Sequence, residues 1–110
     1  MTTIDDERNP TMADLLSELE TVQAKVTAAL QASEADNQAS PVLVAVLREF
    51  AAKATKATGA PGRDAVIELE QAGDSAKAAA EADTGAGEPT RELVLDAHLA
   101  ICMLKANGPT

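Results

Sequence analysis

Within the stretch RELVLDAHLAICMLKANG stand the one histidine of the chain, His98, and its one cysteine, Cys102, four residues apart. On a helix that spacing puts both side chains on one face a turn apart, where an imidazole nitrogen and a thiol sulfur can reach a common atom. Two chemistries use such a pair. Zinc takes nitrogen and sulfur ligands but needs three or four protein donors in a tetrahedron. One chain offers His98, Cys102 and carboxylates, so a site with two of each implies two copies related by symmetry. A cysteine nucleophile needs a base against the thiol, a group that orients that base, and donors for an oxyanion. His98 could be the base, yet no orienting residue or oxyanion donor is evident. The plain alternative is packing, with Cys102 as a small buried hydrophobe and His98 at a surface or interface. The expectation is a non-enzymatic chain with no catalytic residue and no cofactor, His98 and Cys102 being its candidates for a metal or small ligand.

Other chemical constellations fail on spacing. A carboxylate-bridged di-iron bundle uses paired Glu-x-x-His motifs, and Leu95 occupies that position before His98. In size and acidity the chain resembles histidine phosphotransfer domains, which carry a helical His followed closely by Lys and Gly. Here His98 is followed by LAICML before Lys105. An acyl carrier protein would place a Leu-like residue after Asp-Ser, and the chain has Ala76 after Asp74 and Ser75.

The elements that would position these residues are helices. The first is announced by NPTMAD, where either Asn9 caps with Pro10 at the first helical position, or Thr11 caps with Asp14 reaching back. Met12, Leu15, Leu19, Val22, Val26 and Ala29 then recur at spacings of three and four, widened by Leu16 and Leu30. After SEADNQA, Ser40 and Pro41 start a second helix with Leu43, Val46, Leu47, Phe50, Ala54 and Ala57 on one face, stopped by Gly59. GAPGR breaks the chain again, and Asp64 can cap a third segment whose inward positions after Val66, Ile67 and Leu69 are Gly73, Ala76 and Ala80. Gly73 costs about 1 kcal/mol against Ala inside a helix, so it marks either a kink or a close approach of backbones. TGAGEPT precedes the last helix, which Asn107, Gly108 and Pro109 end.

These signals predict an all-α, up-down-up-down four-helix bundle with helices at roughly 11–32, 41–58, 64–83 and 90–106. Residues 1–9 read as a flexible acidic tail and 10–108 as a single domain. The core is thin: of 110 residues 24 are Ala, while Leu, Val, Ile and Phe together number 22. Such a chain lies near the boundary of independent folding, and dimerisation could complete the bundle.

A net charge of −9 argues against nucleic acid as a partner, and with Phe50 the one aromatic residue there is little to stack on bases. It leaves open an acidic mimic that blocks a basic nucleic-acid-binding surface. No apolar run reaches spanning length and the N-terminus does not read as a secretory signal, so no membrane partner and a cytoplasmic location are expected. The charges fall in blocks. Residues 37–63 hold Arg48, Lys53, Lys56 and Arg63 against Glu49 alone, between two acidic stretches. The second helix is thus suited to lie between acidic neighbours, and Lys53, Lys56 and Arg63 could form a basic docking patch.

The last helix carries an excess of apolar surface. Leu93, Val94, Ala97, Ala100, Ile101 and Leu104 suffice for one core stripe, yet Leu95, Leu99, Cys102 and Met103 lie on the other side. A member of a four-helix bundle is not surrounded by its own chain. This second face therefore predicts protein–protein interaction: a homo-oligomer, most simply a two-fold dimer, or another protein.

Overall fold

The computed structural model describes residues 12–107. The expectations for the 1–9 tail, for capping by Asn9, Pro10 or Thr11, and for the Gly108–Pro109 stop lie outside the described residues. The chain forms four helices: α1 (Met12–Ala35), α2 (Pro41–Gly59), α3 (Arg63–Ala82) and α4 (Glu88–Asn107). Among the described residues there is no strand. Each helix touches two others, α1 with α2 and α4, α3 with α2 and α4, so the four stand at the corners of a square. The α1–α2 and α3–α4 loops meet at one end, as up-down-up-down order requires.

The predicted stripes become the core. Leu15, Leu19, Val22, Val26 and Ala29 of α1 face Leu43, Leu47, Phe50, Ala54 and Ala57 of α2, Val66, Leu69, Ala76 and Ala80 of α3, and Val94, Ala97, Ile101 and Leu104 of α4. Small residues oppose large ones. α3 is one continuous helix across Gly73, and a Cβ there would lie 3.1 Å from Ile101 Cγ2 and 3.2 Å from Phe50 Cζ. Of the two readings of Gly73, close packing is the one realised: the missing side chain is the space that the Phe50 ring occupies.

The helix ends refine the expected limits. α1 runs on to Ala35, past the buried Ser33, whose hydroxyl is satisfied by donating to Leu30 O at 2.8 Å. Ser40 caps α2 as expected, accepting from Val42 N at 3.0 Å with Pro41 at the first position. Gly59 is the last helical residue, and among the described residues no glycine takes the left-handed conformation. α2 ends instead with Ala60 N donating to Lys56 O. Gly62, not Asp64, precedes α3, which starts at Arg63 without a side-chain cap. Asp64 lies in the first turn, where its charge favours the helix dipole. α4 begins earlier than expected, at Glu88, with Arg91 N bonded to Gly87 O. Pro89 lies in that first turn, where no intrahelical N–H bond is needed.

The two loops are copies of one another, and each holds the start of the other hairpin's second helix. Asp36 Oδ1 accepts from Gln38 N at 2.9 Å, and Asp83 Oδ1 from Gly85 N at 3.0 Å. Asp36 Oδ2 crosses to Gly87 N at 2.8 Å, and Asp83 Oδ2 crosses to Ser40 N at 2.7 Å. Thr90, buried, adds its hydroxyl to Asp36 at 2.9 Å. The sequence repeats here, Glu34-Ala35-Asp36 against Glu81-Ala82-Asp83. In the same register burial repeats as well: Leu19 with Val66, Val22 with Leu69, Val26 with Gly73, Leu47 with Val94, Ala54 with Ile101 and Ala57 with Leu104. The bundle is two like-built hairpins related by a pseudo-two-fold.

Charges connect the sides. Arg48 of α2 meets Glu34 of α1 at 3.3 Å, and Lys53 and Lys56 meet Glu68 of α3 at 3.6 and 3.3 Å, placing the basic stretch between acidic neighbours. Lys25 reaches Asp96 and Lys105 reaches Glu70. These surface pairs contribute little to stability and act mainly on which neighbours are preferred.

Candidate functional site

α3 and α4 run side by side along one edge of the square, and there the residues with chemical potential gather. Ile101 and Ala97 turn α4 into the core. One step around the helix, His98 and Cys102 then face α3, His98 with 16% of its side chain exposed. The imidazole fits against α3 because Gly73 has no side chain: a Cβ there would be 3.5 Å from His98 Cδ2. The next residue, Asp74, puts its Oδ1 2.7 Å from His98 Nε2. Cys102 Sγ is 3.4 Å from the same Nε2 and 3.9 Å from Nδ1. All three donors lie within 4.8 Å of one another.

Asp74 is the residue that sequence reasoning missed as a partner of His98. Nothing in the local pattern links positions 74 and 98, and only the pairing of α3 with α4 does so. It supplies the orienting carboxylate that was not evident, but not in the layout of a catalytic relay. A relay places the carboxylate on one ring nitrogen and the nucleophile on the other. Here the carboxylate is on Nε2, and the sulfur, 3.4 and 3.9 Å from the two ring nitrogens, lies over the ring instead of on Nδ1. The thiol is also poorly suited to attack, since burial, and then the carboxylates of Glu70 and Asp74, push its pKa above the usual value.

The other predicted interaction residues separate. Leu95, Leu99 and Met103 are exposed at 38%, 55% and 54%, while Cys102 turns away toward His98. The three form a ridge at intervals of four. Shallow clefts flank it, one against α3 lined by Ala80, Glu81, Arg91 and Leu95, and one against α1 lined by Glu18, Thr21, Ala100 and Met103. No known family model, curated protein or solved structure matches this chain.

Of the basic patch, Lys53 and Lys56 are drawn onto Glu68, and Arg63 stands exposed at the start of α3. Glu68 is held below the usual carboxylate range by its hydrogen bond from Lys56 and by the charges of both lysines. Asp36 is likewise held low, first by the Gly87 N–H, then by Gln38 and Thr90. No helix among the described residues is long and apolar enough to cross a membrane.

Proposed function

We propose that the protein works by binding rather than catalysis, and that it associates with a second copy of itself through the outer ridge of α4. The observation that supports this most is the exposure of Leu95, Leu99 and Met103 in one row, on a helix whose core stripe of Val94, Ala97, Ile101 and Leu104 is buried. Rows of this kind pack against one another in the commonest helix-crossing geometry. Across a two-fold axis, Leu99 would meet Leu99, and Leu95 would meet Met103 of the partner. The acidic end of α4, Glu88, Glu92 and Asp96, would then face the partner's Lys105 end.

Only three half-covered side chains from each copy would be buried, against the free motion lost on association, so the dimer is a weak one that dissociates on dilution. A cytoplasmic setting fits this reading, since Cys102 has no second cysteine in the chain to pair with.

Light scattering across a dilution series tests it. The wild type should show a mass that falls toward the monomer as concentration drops, and Leu99→Glu should be monomeric throughout with unchanged helical circular dichroism. A wild type that is monomeric at high concentration, or a Leu99→Glu variant that associates equally well, overturns the proposal.

A further inference from the structure

We infer that Asp74, His98 and Cys102 form a binding site for one zinc-class divalent cation per chain. Three donors of different elements, from two helices, lie within 4.8 Å of one another. Tetrahedral zinc with bonds of about 2.0 Å to nitrogen and oxygen and about 2.3 Å to sulfur sets its ligand atoms roughly 3.3–3.6 Å apart. Cys102 Sγ and His98 Nε2 stand at 3.4 Å, but Sγ is also 3.9 Å from Nδ1 and so lies over the ring face, and the imidazole must turn to aim Nε2 at an ion shared with the sulfur. Asp74 Oδ1, at 2.7 Å from Nε2, must withdraw by about 0.6 Å to meet that spacing, and its side chain is 59% exposed and free to turn outward. For an ion to bind, Nε2 would give up to solvent the proton it now donates to Asp74, the neutral ring would carry its proton on Nδ1, Sγ would lose its proton to solvent, and water would complete the shell. The nitrogen and sulfur donors favour zinc and its neighbours over magnesium or calcium, which take oxygen. The ligands come from one chain, so the site does not require a dimer.

The pseudo-two-fold supplies an independent argument. The counterparts of Asp74, His98 and Cys102 in the first hairpin are Thr27, Ala51 and Thr55. There α1 and α2 pack in the same register, and Thr55 merely accepts from Gln23 Nε2 at 3.0 Å. Holding two helices together at this position therefore requires neither a histidine, a thiol nor a carboxylate. The second hairpin has all three.

Titration calorimetry of the full reduced chain with zinc chloride, in a buffer that does not chelate, tests the site. One ion per chain is expected, with affinity falling at least tenfold in each of Asp74→Asn, His98→Gln and Cys102→Ser. Cobalt(II) should give a sulfur-to-metal charge-transfer absorption in the wild type that Cys102→Ser lacks, a readout that survives even if another variant folds poorly. Leu99→Glu should bind zinc as the wild type does, which separates this site from the association proposed above. Absence of both zinc heat and cobalt absorption in the wild type, or zinc binding indifferent to Cys102→Ser and His98→Gln, overturns the inference.

Discussion

Replacing Asp83 by alanine should cost far more than its place in a loop suggests. The residue is 9% exposed, and its carboxylate accepts from three backbone donors: Ser40 N at 2.7 Å, Gly85 N at 3.0 Å and Ala86 N at 3.3 Å. The Ser40 bond is short, accepted by a carboxylate and made between the two loops, so about 1.5 kcal/mol or more rests on it. The other two are local turn bonds whose N–H groups can in part turn to water, at roughly 0.5–1 kcal/mol each. The sum is about 3 kcal/mol, a large share of the 5–15 kcal/mol typical of a domain, or roughly 12–24 °C in Tm. Asp83→Asn keeps one accepting oxygen and turns an NH2 toward the other donors, so about half that loss is expected. With no Trp or Tyr in the chain, urea unfolding followed by helical circular dichroism is the suitable assay. Glu92→Ala, exposed on α4, should stay within about 0.5 kcal/mol of the wild type. If Asp83→Ala falls in that same narrow range, the crossed loops do not hold the bundle together and the reasoning fails.

The paired aspartate governs behaviour in acid. Asp36 and Glu68 have folded-state pKa values below their ordinary ones, so the unfolded chain takes up their protons more readily. Their contribution is therefore complete above roughly pH 5 and is lost as pH falls below about 4 toward the folded values. The urea midpoint should decline over that range in the wild type and decline less in Asp36→Asn, and equal slopes would contradict the assignment. Two glycines should respond in opposite directions. At Gly85 a Cβ would lie 2.5 Å from the backbone oxygen of Gln38, which cannot step aside without moving the loop, so Gly85→Ala should lose about 1–3 kcal/mol. At Gly62 a Cβ meets nothing within 4 Å and φ is 169°, extended backbone, so Gly62→Ala should gain about 0.4–1 kcal/mol. Thermal melts of the two variants decide the sign of each.

Helix number, order and inward faces were legible because they depend on local periodicity: Leu19, Leu43, Phe50 and Ile101 each fall where a 3.6-residue repeat puts them. The excess apolar face of α4 was legible for the same reason, though Cys102 was grouped with Leu99 where it in fact turns toward α3. What periodicity does not carry is pairing between distant segments. The bond from Asp74 to His98 depends on the register of α3 against α4, which Gly73 fixes by letting Phe50 and Ile101 close in. The crossed aspartates were hidden for a different reason. Asp36 and Asp83 look like ordinary loop residues, and their partners Gly87 and Ser40 offer only backbone N–H groups, which no residue type announces.

The crossed aspartates occupy one end of the square only. At the other, the α2–α3 joint is held by Ala60 N on Lys56 O, and Gly62 lends α3 no side-chain cap. The bundle is thus fastened like a pair of tongs at the pivot, and its helices should breathe from the far tips inward. Amide hydrogens near Gly59–Arg63 would exchange earliest and those near Ser33, Leu43, Ala80 and Val94 latest, giving a gradient along the long axis rather than a difference between helices.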